Sequence, residues 1–375
     1  MKVDFFRHNI GQAEIRACEK VLRSLFLTTG SSVAQFEHDL ARYFGAEAAV
    51  GVTSCTAALH LALTAAGVKA GDEVITTPMS FVATANAICM AGAVPVFVDV
   101  ERNTGNMDAA LIESAITKKT KAILPVHLYG QMVDMKRILA IAKRHKLAVI
   151  EDAAHALESA RDGLRPGKGS FGACLSFYAT KSITSGEGGA FVTQYPEYAR
   201  HVTQLRSHGI TSELAQRERT GLKTYDVDRL GWKYNMDNIQ AALLIPQLKK
   251  AEQWRKKRAR IARSYRHAFE KLDIEMPIDI TNSVHAHHIF PIWVRKDKRD
   301  AILRYLGEHG VGAVINYPAI HLFSFFRKKF GLKKGDFPHT EEIADRTISL
   351  PIFPSLTDKE IKHVIRVVTD AVREA

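Results

Sequence analysis

The 375-residue sequence predicts an α/β protein, with a large domain on a mostly parallel mixed sheet and a smaller C-terminal α+β domain. Three observations carry that prediction. From Ala48 onward, short apolar runs alternate with stretches of helical periodicity, the pattern of β–α–β units. Val94–Asp99 and Lys121–Pro125 are near-continuous apolar runs, as expected of strands covered on both faces. The chain is also too long for one small core, and its pattern changes at Pro246. Domains of residues 1–245 and 246–375 are therefore expected.

Taken in order, residues 13–25 read as an amphipathic helix, followed by a Thr28-Thr29-Gly30 turn and a helix from Val33 to Tyr43. Ala49–Val52 is a strand, and Thr53-Ser54-Cys55-Thr56 caps a helix running to Ala66. A helix start offers free N–H groups and the positive end of its dipole, so phosphate fits there. A plain N-cap role for Ser54 fits equally well. Glu73–Thr77 is the next strand, followed by Pro78-Met79-Ser80-Phe81 and a helix to Ala91. Met132–Lys146 is amphipathic, with Met135, Ile138, Leu139 and Ala142 on one side. Leu147–Ile150 is a strand that Glu151-Asp152 ends. Ligands of open α/β sheets bind beyond the carboxyl ends of strands, so Asp152 stands where a cofactor would lie.

Cys174 to Thr193 reads as a strand, a loop carrying Lys181, a glycine run and a second strand. Small and hydroxylated residues flank Lys181, and the nearest acidic residue in sequence is Glu187. A lysine shielded from water loses its charge more easily, and the neutral amine is the form that attacks an aldehyde. Ser176 has a short hydroxyl suited to a phosphate oxygen, and Gly186, Gly188 and Gly189 allow backbone to approach a ligand. Alone, the stretch reads better as a hairpin with an exposed lysine, since most lysines do no chemistry.

Further on, residues 207–230 form a polar excursion headed by Arg206, His208 and Gly209. Pro246 opens the crossover into the C-terminal domain. That domain is expected to hold a long basic helix at Lys249–Arg266, with Trp254, Ile261 and Tyr265 buried. A strand near His288–Val294 and a helix near Lys298–Glu308 follow. The last helix opens on the capping box Thr357-Asp358-Lys359-Glu360.

The order Ser176-Phe177, Lys181, Gly186-Glu187-Gly188-Gly189 resembles the cofactor-lysine loop of the DegT family of sugar aminotransferases. Other stretches follow in the family's order and span nearly the whole chain. They are Gly71–Ile75, Pro125–Gln131, Glu151–Ala156, Gly231–Asn235, Gln240-Ala241-Ala242, Tyr317–His321 and Ser349-Leu350-Pro351. The resemblance implies the fold of aspartate aminotransferase, a type I transferase dependent on pyridoxal 5'-phosphate (PLP). It implies that Lys181 holds the cofactor and moves the proton, while Asp152 faces the pyridine nitrogen. By the same likeness His155 lies beside the phenolic oxygen and Phe81 over the ring. Ser54, Cys55 and Ser176 lie at the phosphate, and Thr29, Tyr317 and His321 face the sugar. Lys233 and Asn235 stand where most members have Asn and Arg. One of the two is implied to reach the neighbouring subunit's cofactor phosphate in a homodimer with its site at the interface. The Lys/Asn pair, with Asp152-Ala153-Ala154-His155, looks like the branch containing the UDP-4-amino-4-deoxy-arabinose aminotransferase.

The implied activity moves an amino group from glutamate to a nucleotide-linked keto-sugar, a UDP-4-keto-sugar by the branch likeness, for cell-surface polysaccharide or glycan synthesis. Two rivals stand beside it. A PLP-dependent sugar dehydratase on this fold replaces the lysine with His, whereas Lys181 is present. A basic nucleic-acid-binding or regulatory protein on the same fold is suggested by the net charge of +12 and pI near 9.5. Much of the surplus lies in the single helix 249–266 without an aromatic-basic RNA motif, so a solvated helix face is preferred and no nucleic-acid partner is expected.

Cys18, Cys55, Cys89 and Cys174 show neither CxxC spacing nor a disulfide framework, which favours a reducing cytoplasm. The opening MKVDFFRHNI lacks an apolar h-region, so no signal peptide is expected. Ala48–Val68 has no charged residue yet is broken by Gly51, a Thr-Ser-Cys-Thr run and His60, so membrane insertion is rejected. Gly163–Gly172 fails the phosphate-loop spacing, and the Gly186 region lacks GxGxxG. His285, His287 and His288 are read as surface histidines on a strand rather than metal ligands, because no carboxylate or cysteine follows at zinc spacing.

Overall fold

A computed structural model of the chain describes residues 1–211 and 224–374. The middle of the expected polar excursion, 212–223, lies outside the described residues. Eleven strands occur among the described residues: β1 Ala48–Val52, β2 Glu73–Thr76, β3 Val94–Phe97, β4 Thr120–Ile123, β5 Ala148–Asp152, β6 Ala160–Arg161, β7 Gly172–Ser176, β8 Gly189–Thr193, β9 Ser283–Val284, β10 Phe290–Trp293 and β11 Thr347–Leu350. Seven form one sheet in the order β1-β8-β7-β5-β4-β2-β3. The β7-β5-β4-β2-β3 pairs are parallel, while β8 runs antiparallel to both β7 and β1. The carboxyl ends of β1, β2, β4, β5 and β7 therefore share one edge with the start of β8. Asp152, Ser176, Ser54 and Gly189 all lie along that edge, as the strand-end rule anticipates.

The helix Cys55–Ala65 shows why Ala48–Val68 is so apolar. Cys55 and every residue from Ala57 to Leu63 are buried, because the helix packs on the sheet and is itself covered by neighbouring helices. Its N-cap is Ser54, whose Oγ accepts from Ala57 N at 3.0 Å. No described helix is long and apolar enough to cross a membrane. Helix Met135–His145 begins three residues later than the periodicity suggested, where the Asp134 carboxylate accepts from Arg137 N at 3.1 Å. The final helix, Asp358–Glu374, opens on the expected reciprocal cap between Thr357 and Glu360.

The second core gathers Tyr265, Phe269, Phe290, Ile292, Ile348, Val364 and Val367 around the β10–β11 pair. Val3 also packs there and bridges Val311, so the first residues lie with the C-terminal core rather than with the sheet they precede. The basic helix is Ala251–Phe269, ~28 Å long at 1.5 Å per residue. That length spans two cores: Ala251 and Trp254 enter the sheet-side core, and Ile261, Ala262, Tyr265 and Phe269 the second. The helix is not simply a solvated face, since Arg258 is buried in an ion pair with Glu158 at 2.8 Å. Arg255, Arg260 and Arg266 pair with Glu252, Asp358 and Asp279.

Candidate active site

Lys181 lies in the loop that leaves β7, and that loop is closed on itself. The Phe177 carbonyl accepts from Ser185 N at 3.0 Å and from Thr184 Oγ1 at 3.1 Å, and the Tyr178 carbonyl accepts from Lys181 N at 2.9 Å. Gln247 then clamps Thr184 through both main-chain groups, at 3.0 and 2.7 Å. Ser182 donates to Glu158 at 3.2 Å, the carboxylate that Arg258 also holds. The lysine Nζ is consequently brought inward, 3.4 Å from His288 Nε2. Burial pushes its pKa down to about 8, and the nearby Cys55 and Asp152 only partly oppose that. The sequence's expectation of a readily neutralised amine has a concrete cause in the fold.

Asp152 ends β5 as a buried carboxylate. Its Oδ2 accepts from Thr84 Oγ1 at 2.8 Å, and Oδ1 accepts from Ala154 N at 3.1 Å with Cys55 Sγ 3.9 Å away. Burial raises its pKa, while Thr84, the Ala154 amide, Lys181 and His127 pull it back. Behind it His127 Nε2 meets Glu151 at 2.7 Å, and Gly167 N donates to the same carboxylate at 2.8 Å. Glu151 and Asp152, adjacent in sequence, thus point to opposite faces of β5, one structural and one facing the site.

His155 joins this group from the turn after β5. Its Nε2 is 3.0 Å from the Tyr317 hydroxyl, and its ring centroid lies 4.7 Å from that of His288. Its Nδ1 is buried with no hydrogen-bond partner among the described residues. Burial and the nearby Lys181 hold its pKa well below the ordinary imidazole value. Phe81 remains 58% exposed, its centroid 6.1 Å from that of Tyr317, and so leaves a ring face open beside the cluster.

The phosphate-side candidates meet through Gly189. Strand register puts Gly189 opposite both Val52 and Ser176. A Cβ on it would stand 2.3 Å from Ser54 C and 2.5 Å from Cys55 N. Only glycine lets β8 approach the helix start that closely. Ser176 Oγ accepts weakly from Tyr178 N at 3.4 Å.

Other sequence candidates fall elsewhere. Asn235 Nδ2 donates to Thr29 Oγ1 at 2.7 Å, so these two form a separate cluster, while Lys233 is exposed. His321 is a correction: it is 0% exposed, its Nε2 lies 3.0 Å from Glu341, and its ring packs on Phe337. In this conformation it braces the loop after Tyr317 and presents no surface to a sugar. The histidine reading also changes. His285, His287 and His288 precede strand β10, are only half-exposed, and His288 faces Lys181. A carboxylate does stand near the first two, Asp279, within 4.8 Å of both. Arg266 already holds that carboxylate at 3.0 Å, and burial together with Arg266, Arg258, Arg255 and Arg263 lowers the His287 pKa to about 3, surroundings that oppose a cation.

Thr84 and Ser80 were not legible as site residues. Ser80 and Thr84 sit in an apolar-looking stretch, 2.9 Å apart, and nothing local distinguishes Thr84 from a helix hydroxyl turned back on its own backbone.

Residues 8–369 match the DegT/DnrJ/EryC1/StrS aminotransferase family. The chain belongs to that family. Among curated relatives of this aminotransferase, the spore coat polysaccharide biosynthesis protein SpsC of Bacillus subtilis is 39% identical, over 98% of this chain and 96% of its own. The UDP-4-amino-4-deoxy-L-arabinose–oxoglutarate aminotransferase of Shewanella sediminis is 36% identical over 98% and 97%. Among solved structures, Spr1654 of Streptococcus pneumoniae in its PMP form superimposes with a TM-score of 0.95, at 28% identity over the whole of both chains. Its PLP form matches at 0.94.

The residues here fit that cofactor. A lysine amine made readily neutral, a buried carboxylate, an unpartnered imidazole nitrogen and a glycine-lined helix start are the four groups that an aldehyde, a pyridine nitrogen, a phenolic oxygen and a phosphate would each require.

Proposed function

We propose that this aminotransferase takes the amino group of glutamate and delivers it to a nucleotide-linked keto-sugar, a UDP-4-keto-sugar. The observation that carries the reading is the pairing of Lys181 and Asp152 across one buried site, where each perturbs the other's pKa. The retained lysine speaks against the dehydratase alternative. The choice of UDP, of the 4-position and of glutamate is supported by the Shewanella relative at 36% identity.

Bound PLP supplies an aldehyde for an amine and a ring that accepts the electron pair left when a proton is removed beside nitrogen. Lys181, once free, is the base that takes the proton from the donor's α-carbon and later returns one to the sugar carbon. Asp152, whose ionised form burial disfavours and Thr84, the Ala154 amide and Lys181 favour, would hold a proton on the pyridine nitrogen of bound PLP. With PLP bound, His155 Nδ1 would donate to the phenolic oxygen, Phe81 would cover one ring face, and Ser176 with the Ser54–Cys55 helix start would receive the phosphate. Tyr317, fixed on His155, and Thr29 bound the sugar space.

The enzyme is a homodimer, and Lys233 or Asn235 serves the neighbouring site. Leu25 at 87% exposure, Phe26 and Leu27 form apolar surface just before Thr29, the kind a partner subunit covers. The test is amination of a panel of UDP-, dTDP- and GDP-keto-sugars by pure protein with PLP and glutamate. Turnover of a UDP-4-keto-sugar is expected. PLP binding with no sugar aminated would overturn the substrate reading.

A further inference from the structure

We propose that His288 is a positioning residue for Lys181, holding the amine in the site whenever it is not bonded to the cofactor. The inference rests on the aminotransferase reading and deepens it. His288 Nε2 lies 3.4 Å from Lys181 Nζ, although the two residues are 107 positions apart in the chain. The backbone that carries the imidazole is pinned. The His288 main-chain N donates to the Tyr129 carbonyl at 3.0 Å, Ala286 N donates to the Gly130 carbonyl at 2.9 Å, and Arg258 Nε donates to the Ala286 carbonyl at 2.9 Å. Gly130 permits that contact, because a Cβ there would stand 2.9 Å from Ala286 Cβ and from the His155 carbonyl.

The ring is also held neutral. Its partial burial, together with Lys181, His155 and Arg258, which it faces, disfavours a positive charge on it. A neutral imidazole keeps one lone pair, and the Nε2 lone pair is an acceptor for the lysine amine. On its other sides the amine faces Cys55 and Asp152. A flexible lysine stem that lost this acceptor would be free to fold toward Asp152, and misplacement of a reacting group costs rate.

The experiment follows cofactor loading without any sugar. Apoprotein is mixed with PLP, the growth of lysine-bound visible absorbance is timed, and borohydride trapping locates the adduct by mass. His288→Phe is expected to slow loading about tenfold or more, by the cost of misplacing a reacting group. His288→Gln, which can still place a polar atom near Nζ, should recover most of the rate, with melting temperatures of the apoproteins alike. Loading at the wild-type rate in His288→Phe overturns the assignment. Equal slowing in both variants overturns it too, since that is what a packing role alone would give. If wild-type protein forms no adduct at Lys181, the cofactor reading fails and takes this proposal with it.

Discussion

The Thr84 hydroxyl donates to Asp152 Oδ2 at 2.8 Å, across 68 residues of sequence. Burial favours the protonated acid, and this hydrogen bond is among the contacts that resist it. Thr84→Val should push the Asp152 pKa further up. The acid limb of the glutamate half-reaction would then move to higher pH with little change at alkaline pH. A pH–rate profile of that half-reaction checks it, and an unmoved limb would leave Thr84 without an electrostatic role.

Asp152→Asn separates rate from stability. The folded carboxyl has a raised pKa, so the folded state binds its proton more tightly than the unfolded chain does. Stability is therefore lost as pH rises from the ordinary carboxyl value toward the folded one. Asparagine removes that cost. The variant should lose most of its turnover while the apoprotein melts no lower than wild type at neutral pH. An unchanged rate would exclude the proton-holding role.

Lys181 has the opposite slope at higher pH. Its pKa falls from 10.5 unfolded to about 8 folded, so the unfolded chain binds more protons across that window. Apoprotein stability should rise as pH increases from about 8 to 10.5, by roughly 3 kcal/mol at most. Lys181→Met should abolish the rise, as measured by urea unfolding at each pH. Lys181→Ala should lose turnover and the cofactor's visible absorbance together.

Gly189→Ala tests the phosphate end. The new methyl would meet backbone atoms Ser54 C and Cys55 N at 2.3 and 2.5 Å, which cannot rotate away. A loss of about 1–3 kcal/mol in stability is expected. PLP affinity should weaken more than that of a small amine-reactive aldehyde lacking phosphate. Equal effects on both would argue against a phosphate contact there.

Glu158→Gln leaves Arg258 buried without its carboxylate and Ser182 with a neutral acceptor. Breaking a buried pair on one side costs about 3–5 kcal/mol. Because the pair ties the lysine loop to the basic helix, unfolding should move to lower denaturant, and Lys181 loading should slow in parallel. A stability loss with loading unaffected would confine the pair to packing.

Much of the site was legible before any coordinates. Asp152 was singled out by a strand end and Ser54 by a helix start, while Lys181 rested on the family resemblance of its loop. The errors have a common origin. His321 was assigned to the sugar by its place after Tyr317, yet Glu341 and Phe337 draw it inside. His285, His287 and His288 were read as surface residues, yet the helix Ala251–Phe269 and the turn at Tyr129 cover them. Each mistake concerns what packs over a side chain from a distant segment.

What the amino-acid sequence determined by itself was the alternation of strands and helices, the caps, and the residue types that stand at strand ends. Those depend on periodicity and on contacts a few residues apart, which order along the chain preserves. Only the tertiary structure decided that Thr84 supports Asp152, that His288 meets Lys181 and that the lysine amine is shielded enough to lose its proton near pH 8. Desolvation and hydrogen bonding act over a few ångströms of space. Segments 68 and 107 residues apart come that close only after the sheet has assembled.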